Sequence, residues 1–216
     1  MPGLVWSKEA INQSINQNIE KLTRWSNNAS PRDAFTINNL NDDVTYLVGS
    51  GGNAVSTMTL DIATLSPNMG AKTIIIENAD LYIKQSFNYN QNDNLGSQEE
   101  ISSLGVIIKD GNLIIDPSVE EIAGAYFVSR SSENDLQFGN VISGTPSGPE
   151  DSEKQLTVYG SILGNIGPVL EKRTFAGDVQ KDEGAITIRY DQRIIQNTPP
   201  GFSELFGNFE QSQIAR

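Results

Sequence analysis

Thr73-Ile74-Ile75-Ile76-Glu77-Asn78-Ala79-Asp80-Leu81-Tyr82-Ile83 is the stretch that decides the fold. A β-branched run meets a polar corner, and a second short apolar run follows. Gly105-Val106-Ile107-Ile108-Lys109-Asp110-Gly111-Asn112-Leu113-Ile114-Ile115 repeats the pattern, and Leu156-Thr157-Val158-Tyr159-Gly160-Ser161-Ile162-Leu163 gives it a third time. β-Branched side chains suit the pleated surface of a strand. The corners Glu77-Asn78 and Lys109-Asp110-Gly111 are short enough for hairpins. They are equally short enough for the bends of stacked β-coils, in which each run pairs with its equivalent one coil away.

The connections favour stacked coils. Asn88 to Ser103 and Ser131 to Lys154 are long and polar, and they leave the pattern at similar points. They read as surface excursions from a regular core. The expected fold is therefore mainly β, a right-handed parallel β-helix or β-solenoid-like stack. A β-sandwich built from the same strands is the competing arrangement. Further strands are expected at Phe35–Ile37, Val44–Val48, Ala54–Leu65, Ala125–Ser129 and Ala185–Tyr190.

Ser7 to Trp25 is the one strong helical pattern. Ile11, Ile15, Ile19 and Leu22 make a single apolar stripe, with Asn and Gln on the other face. Ser7 is placed to cap it, and Glu9 lies in its first turn. Residues 1–30 are read as this helix and a linker, residues 31–206 as the β-solenoid-like domain, and residues 207–216 as a tail.

Composition narrows the chemistry. The chain has 216 residues, no Cys, no His and a net charge of −12. Disulfides, thiolate nucleophiles, imidazole bases and Cys/His zinc sites are excluded. The negative balance argues against nucleic acid, whose phosphates demand Lys and Arg. It also argues against an anionic membrane surface. No stretch approaches the roughly 20 apolar residues of a membrane span. The start, Met1 to Trp6, lacks the basic and apolar regions of a signal peptide. Either the protein is cytosolic or this is a mature domain cut from a longer chain and given a start Met; the resemblance carried by the tail favours the second. Asp42-Asp43, Glu99-Glu100, Glu120-Glu121 and Glu150-Asp151 are adjacent pairs, whose side chains point opposite ways in an extended chain and make no acid/base pair. No catalytic or cofactor-binding residue is assigned. Asn90 to Gly96 alternates oxygen ligands as a Ca²⁺ loop does. However, Leu95 stands where the turn Gly belongs and Ile101 where the bidentate Glu belongs, so no metal ligand is assigned either.

The end of the chain carries a resemblance. Gln155-Leu156-Thr157-Val158-Tyr159-Gly160-Ser161-Ile162-Leu163-Gly164-Asn165 is similar to an "xLxVxGSLxAN" segment of bacterial surface proteins, including those of candidate-phylum bacteria. There an Arg-Thr follows, here Arg173-Thr174. Tyr190-Asp191-Gln192-Arg193-Ile194-Ile195-Gln196-Asn197-Thr198-Pro199-Pro200-Gly201-Phe202 resembles their "YDPRxxxNPPPGF" ending, departing from it at Gln192 and Thr198. Type IV pilus-associated minor pilins of the PilX kind end similarly. Gly111 to Pro117 and Ile122 to Tyr126 look like the same family. The resemblance spans about Thr73 to Phe206. It implies an extracellular, cell-surface, pilus-associated structural or adhesive module, and it carries over no catalytic residue.

The tail also has a physical reading. Pro199-Pro200 fixes an extended backbone, Gly201 permits a turn, and Phe202 is placed to enter the core. Tyr190, Arg193, Pro199, Pro200 and Phe202 are thus the candidate end-cap or partner contacts. Tyr190 and Phe202 are expected over an open sheet edge. The expected partners are other segments of a larger surface protein or a host or cell-surface ligand. Self-association into a filament is a further expectation. The other reading is a carbohydrate-binding or carbohydrate-cleaving β protein, with Tyr46, Tyr82, Tyr89, Tyr126 and Tyr159 as sugar platforms. It requires those tyrosines to be exposed.

Overall fold

The computed structural model describes residues 31–32, 34–37, 40, 42–49, 56–92, 96–131, 136–174 and 185–202. The helix expected over Ser7 to Trp25 and the tail 207–216 lie outside the described residues.

The described chain is mainly β. Its first strands are β1 (Pro31–Arg32), β2 (Ala34–Ile37), β3 (Val44–Gly49), β4 (Ser56–Leu60), β5 (Ala71–Glu77) and β6 (Ala79–Ile83). A single 3₁₀ turn at Gln98–Glu100 precedes β7 (Ser103–Lys109), β8 (Leu113–Ile115) and β9 (Glu121–Ser131). Then come β10 (Leu136–Phe138), β11 (Val141–Thr145), β12 (Gly148–Pro149) and β13 (Leu156–Leu163). Helix α1 (Gly167–Lys172), β14 (Ile186–Arg189) and helix α2 (Arg193–Gln196) complete the list.

The strands form two sheets. The first runs β1-β3-β5-β7-β9-β13-β14, with β10 antiparallel on β9; the second runs β12-β11-β8-β6-β4-β2. From β2 to β9, consecutive strands alternate between the sheets. Neither corner is a hairpin: β5 pairs with β7, and β6 pairs with β8, both parallel. Every ladder is parallel except β9–β10 and β11–β12. Thr73 lies opposite Gly105 and Gly105 opposite Ala125, so one circuit of the chain takes 32 residues and the next 20. In-register parallel pairing stacks like on like. Tyr46, Ile75, Ile107 and Phe127 form one row, and Leu47, Ile76, Ile108 and Val128 the next. In the second sheet Met58, Leu81, Leu113 and Val141 do the same.

Each corner turns on one residue in the left-handed region. Asn78 has φ 56° and Asp110 φ 58°. Asn and Asp tolerate this conformation better than other residues with a side chain. The corners stack as well. Asn78 N donates to Lys109 O at 2.9 Å, and Asp110 N to Ser129 O at 2.9 Å. A Cβ on Gly111 would overlap the carbonyl of Ala79, so the next corner tolerates only Gly there.

One row of side chains follows the stack. Asp80 Oδ1 accepts from Asn112 N at 2.7 Å and Asn112 Nδ2 at 2.9 Å. Asn112 Oδ1 accepts from Asn140 N at 3.2 Å and Arg130 Nη2 at 2.9 Å. Asn140 Oδ1 accepts from Asn165 Nδ2 at 2.8 Å. The ladder links four successive turns of chain: the Asp80 carboxylate accepts at its start, and three amides that can both donate and accept continue it.

Three expectations need correction. The segment Ser131 to Lys154 is not only a surface loop. It contains β11, which continues the second sheet beside β8 and buries Val141 and Ser143 completely. Its small, polar composition hid a strand whose neighbours supply most of the apolar contact. Asn88 to Ser103 likewise buries Tyr89, Ile101, Ser102 and Ser103. The third passage does not bend at Gly160. β13 runs unbroken through it, with Gly160 opposite Gly124 and φ values of 143° and 122°. A Cβ on Gly160 would overlap the Gly124 carbonyl, so these glycines allow close strand approach and mark no corner.

Arg173 closes the region. Its side chain is buried, and Nη1 donates to Val119 O at 2.7 Å and Nη2 to Asp116 O at 2.8 Å. Burial lowers its pKa to about 10, opposed by the charge of Asp116. The guanidinium thus ties the end of α1 to the loop after β8.

Asp80 yields a prediction. Burial raises its pKa, opposed by the hydrogen bonds from Asn112 and the charge of Arg130. A carboxyl whose folded pKa is raised favours folding while protonated, and this contribution is lost as pH rises through the folded value. Asp80→Asn keeps the acceptor for Asn112 without the half-buried charge. It is expected to raise the melting temperature by about 2–4 °C at about pH 8 and to leave it unchanged at about pH 3. Thermal melts of both proteins across that range check this, and equal melting points at about pH 8 would overturn it.

Candidate functional site

The two sheets differ in what covers them. β4 and β6 alternate buried and half-buried residues, so the second sheet buries one face. In β5 and β7 nearly every residue is buried. The first sheet is covered on both faces, and the C-terminal segment is its outer cover. Ile194 and Phe202 pack there with Tyr46, Ile75, Ile107, Ala125 and Phe127 in a second apolar cluster.

The tail is built for this position. Pro199-Pro200-Gly201-Phe202 closes a turn in which Phe202 N donates to Pro199 O at 3.0 Å and Gly201 takes φ 85°. Pro at the second position and a positive φ at the third make a type II turn. The turn drops Phe202 over Gly105, where a Cβ would overlap the ring and stand 2.8 Å from Pro199 Cβ. Polar bonds align the strap with the sheet. Thr73 Oγ1 donates to Pro200 O at 2.7 Å, Ser103 Oγ donates to Asn197 O, and Asn197 Nδ2 donates to Ile101 O at 2.7 Å.

The five candidate contacts therefore separate. Pro199 and Phe202 are buried on the face of the first sheet, and Pro200 binds Thr73 through its carbonyl. Gly105 lies on β7, in the middle of that sheet, so Phe202 covers a face and no edge. Tyr190 is 67% exposed and covers nothing. Arg193 turns towards a cleft.

That cleft has a volume of about 640 Å³. Its bed is a run of turns knitted side by side. Leu65 N donates to Asn88 O at 3.2 Å, and Phe87 N to Glu121 O at 3.0 Å. Asn88 is held at both ends of its amide: Oδ1 accepts from Tyr89 N at 2.7 Å, and Nδ2 donates to Glu121 Oε2 at 2.9 Å. Asn90 Oδ1 accepts from Asn92 N at 2.9 Å. Gln91 and Asn92 complete the polar wall, and Tyr159 of β13 stands on the rim. Arg193 comes from α2. Its guanidinium carbon lies 5.1 Å from the centre of the Tyr89 ring, and Nη1 donates to Asp191 Oδ2 at 3.3 Å. Stacking on the ring and pairing with the carboxylate fix it in place.

The expected sugar platforms are corrected by burial. Tyr46, Tyr89 and Tyr126 are 7%, 5% and 1% exposed, so none offers a ring face to solvent. Tyr46 O–H donates to Glu77, which is bound in turn by Lys109 Nζ at 2.6 Å. Burial first, then Glu77, raises the Tyr46 pKa. Tyr126 O–H donates to Ala123 O at 2.8 Å, and burial raises its pKa well above the usual value. Tyr82 is half-buried and bound to Asp116, and burial with that carboxylate raises its pKa. Asp116 itself is pulled up by burial but held lower overall by Ser118, Tyr82 and Arg173. Of the five, Tyr159 alone remains a partly exposed ring on the cleft. Asn88, Glu121 and Asp191 had no sequence signal beyond an Asn-rich run, an acidic pair and the Tyr-Asp of the tail.

Among the described residues, no group of three or more Asp, Glu, Cys or His is placed to hold a metal ion. Asp93–Leu95 of the Ca²⁺-like loop lie outside the described residues. Among the described residues, no helix is long and apolar enough to cross a membrane. Comparison with protein-family models, curated proteins and solved structures finds no match.

Gly105→Ala tests the strap. The added methyl group overlaps Phe202, and the tail is a lighter element than a central sheet. The variant is expected to release the strap at a cost of about 1–3 kcal/mol while retaining the β spectrum. Hydrogen exchange should then speed up at Phe202 N and at Asn197 N, and not at Ile75 N or Ile107 N. Unchanged exchange in the strap would show that it does not depend on contact with Gly105.

Proposed function

We propose that this chain is a β-solenoid-like scaffold, a right-handed parallel stack, serving as a non-enzymatic structural or adhesive module of a larger bacterial surface protein. The carrying observation is the alternation of consecutive strands between two parallel sheets, with the Asp80–Asn112–Asn140–Asn165 ladder crossing the turns. A parallel crossover that leaves a sheet and returns to it is right-handed in nearly all proteins, which supports the hand. Stacked coils with side-chain ladders gain stability from nearest neighbours and leave their loops available for contact. The strand and tail motifs that resemble bacterial surface and pilus-associated proteins support the setting. A net charge of −12 suits a soluble, exposed surface.

The cleft beside Arg193 is the favoured contact region of this scaffold. Two features support it: the amides of Asn88 and Asn90 and the Arg193 guanidinium are held by internal bonds, and the turns are anchored to their neighbours. Preorganised groups lose less freedom on binding.

An antiserum against the purified chain tests the setting. It is expected to label intact cells of the source organism and to detect a polypeptide longer than 216 residues on immunoblots. Labelling only after permeabilisation, with a band of the chain's own length, would overturn the surface-module reading. Small-angle scattering tests the stack separately, since a solenoid gives an elongated particle.

A further inference from the structure

The chemistry of the cleft goes one step further than the scaffold reading on which it rests. We propose that it binds a short neutral oligosaccharide. Its volume of about 640 Å³ lies within the roughly 300–1,000 Å³ of small-molecule sites. Four planar amides, Asn88, Asn90, Gln91 and Asn92, lie in its wall, each able to donate and accept at once, which matches adjacent hydroxyl groups on a sugar ring. Asn88 and Asn90 are already oriented by Tyr89 N, Glu121 and Asn92 N. Glu121 adds a carboxylate acceptor at the same place. Tyr159, half-exposed on a strand with the Arg189 guanidinium 5.9 Å from its ring centre, offers the part of its ring left open to the apolar C–H face of a pyranose.

Charge decides between ligand classes. Glu121 and Asp191 bring two carboxylates to the cleft; Arg193 is paired with Asp191 and stacked on Tyr89, and Arg189 stands over the Tyr159 ring at the rim, 5.9 Å from its centre. A nucleotide or a uronate would bring further negative charge into this setting, on a chain of net charge −12. An uncharged polyhydroxylated ligand meets no such penalty.

Titration calorimetry with cellotetraose, maltotetraose and chitotetraose, and with tetragalacturonate as the acidic probe, tests the proposal. At least one neutral tetrasaccharide is expected to bind with a Kd of about 0.1–1 mM. Tyr159→Ala should weaken it at least about tenfold. Gln91→Ala, on an exposed position that the fold does not need, should weaken it by a factor of about three or more. Tyr82→Phe, on the second sheet and outside the cleft, should leave it unchanged. Failure of all three neutral sugars, binding of tetragalacturonate alone, or affinities indifferent to both cleft variants would each overturn the proposal. Scattering on the same samples keeps the two readings apart: an elongated particle that binds no sugar removes this inference only. A compact particle removes the stack, whatever the titration shows.

Discussion

The fold depends on burying both faces of one sheet. In the first sheet Ile74 and Ile76 face the second sheet, while Ile75 between them faces away; Val106, Ile107 and Ile108 repeat the arrangement. The outward row would be an exposed apolar stripe without a cover. Each such side chain contributes roughly 1.5–3 kcal/mol when fully removed from water. The strap formed by Ile194 and Phe202 supplies the cover, and Gly105 leaves the hollow that receives the ring. The direction of the chain after β14, the type II turn and the hydrogen bonds from Thr73 and Ser103 all serve that contact. The position of Arg193, and hence one wall of the cleft, follows from it.

This constraint was partly legible in the sequence. Ile74 to Ile76 is a continuous apolar run, whereas Ala79 to Ile83 alternates with Asp80 and Tyr82. Continuous runs belong to strands buried on both faces, and alternating runs to strands with one wet face. The two halves of the opening stretch thus announce their different sheets. The corners were legible too, because Asn78 and Asp110 are residues that accept a positive φ. What covers the outer face was not. Phe202 is separated from Gly105 by nearly a hundred positions, and no local pattern reports so distant a contact. The open edge expected for Tyr190 and Phe202 was the natural local inference, but a sheet this apolar on its outer face presents the larger demand.

Other features were hidden for related reasons. Val141 to Thr145 contains Ser143, Gly144 and Thr145, too polar to stand out as a strand. It folds as one because β8 already offers a parallel edge in register. Gly160 looked like a corner because glycine often marks one. Here it faces another glycine across the ladder, and the strand passes straight through. In parallel, in-register sheets the neighbouring strand decides the structure, and sequence separations of 32 and 20 residues prevent a fixed period from revealing it.

The same geometry explains where irregular polar surface gathers. The faces of the stack are committed: the inner faces to each other, the outer face of the first sheet to the strap. Their rows of like side chains leave little room for diverse groups. Diversity is tolerated where the chain leaves the ladders, at the turns around Asn88 and at the segment leading into the strap. These turns are nevertheless tied back, through Leu65, Phe87 and Glu121 on one side and Asp191 and Arg193 on the other. The stack thus holds an irregular surface still. Three of the five tyrosines that seemed suited to meet a ligand are buried by the scaffold. Tyr159 differs because it stands on β13, late in the strand order, opposite Ala123, which precedes the first β9 residue paired with β7, and opposite Arg189, just before the turn from β14 to α2. A partly exposed ring in such a fold belongs where the regular core gives way to the tail.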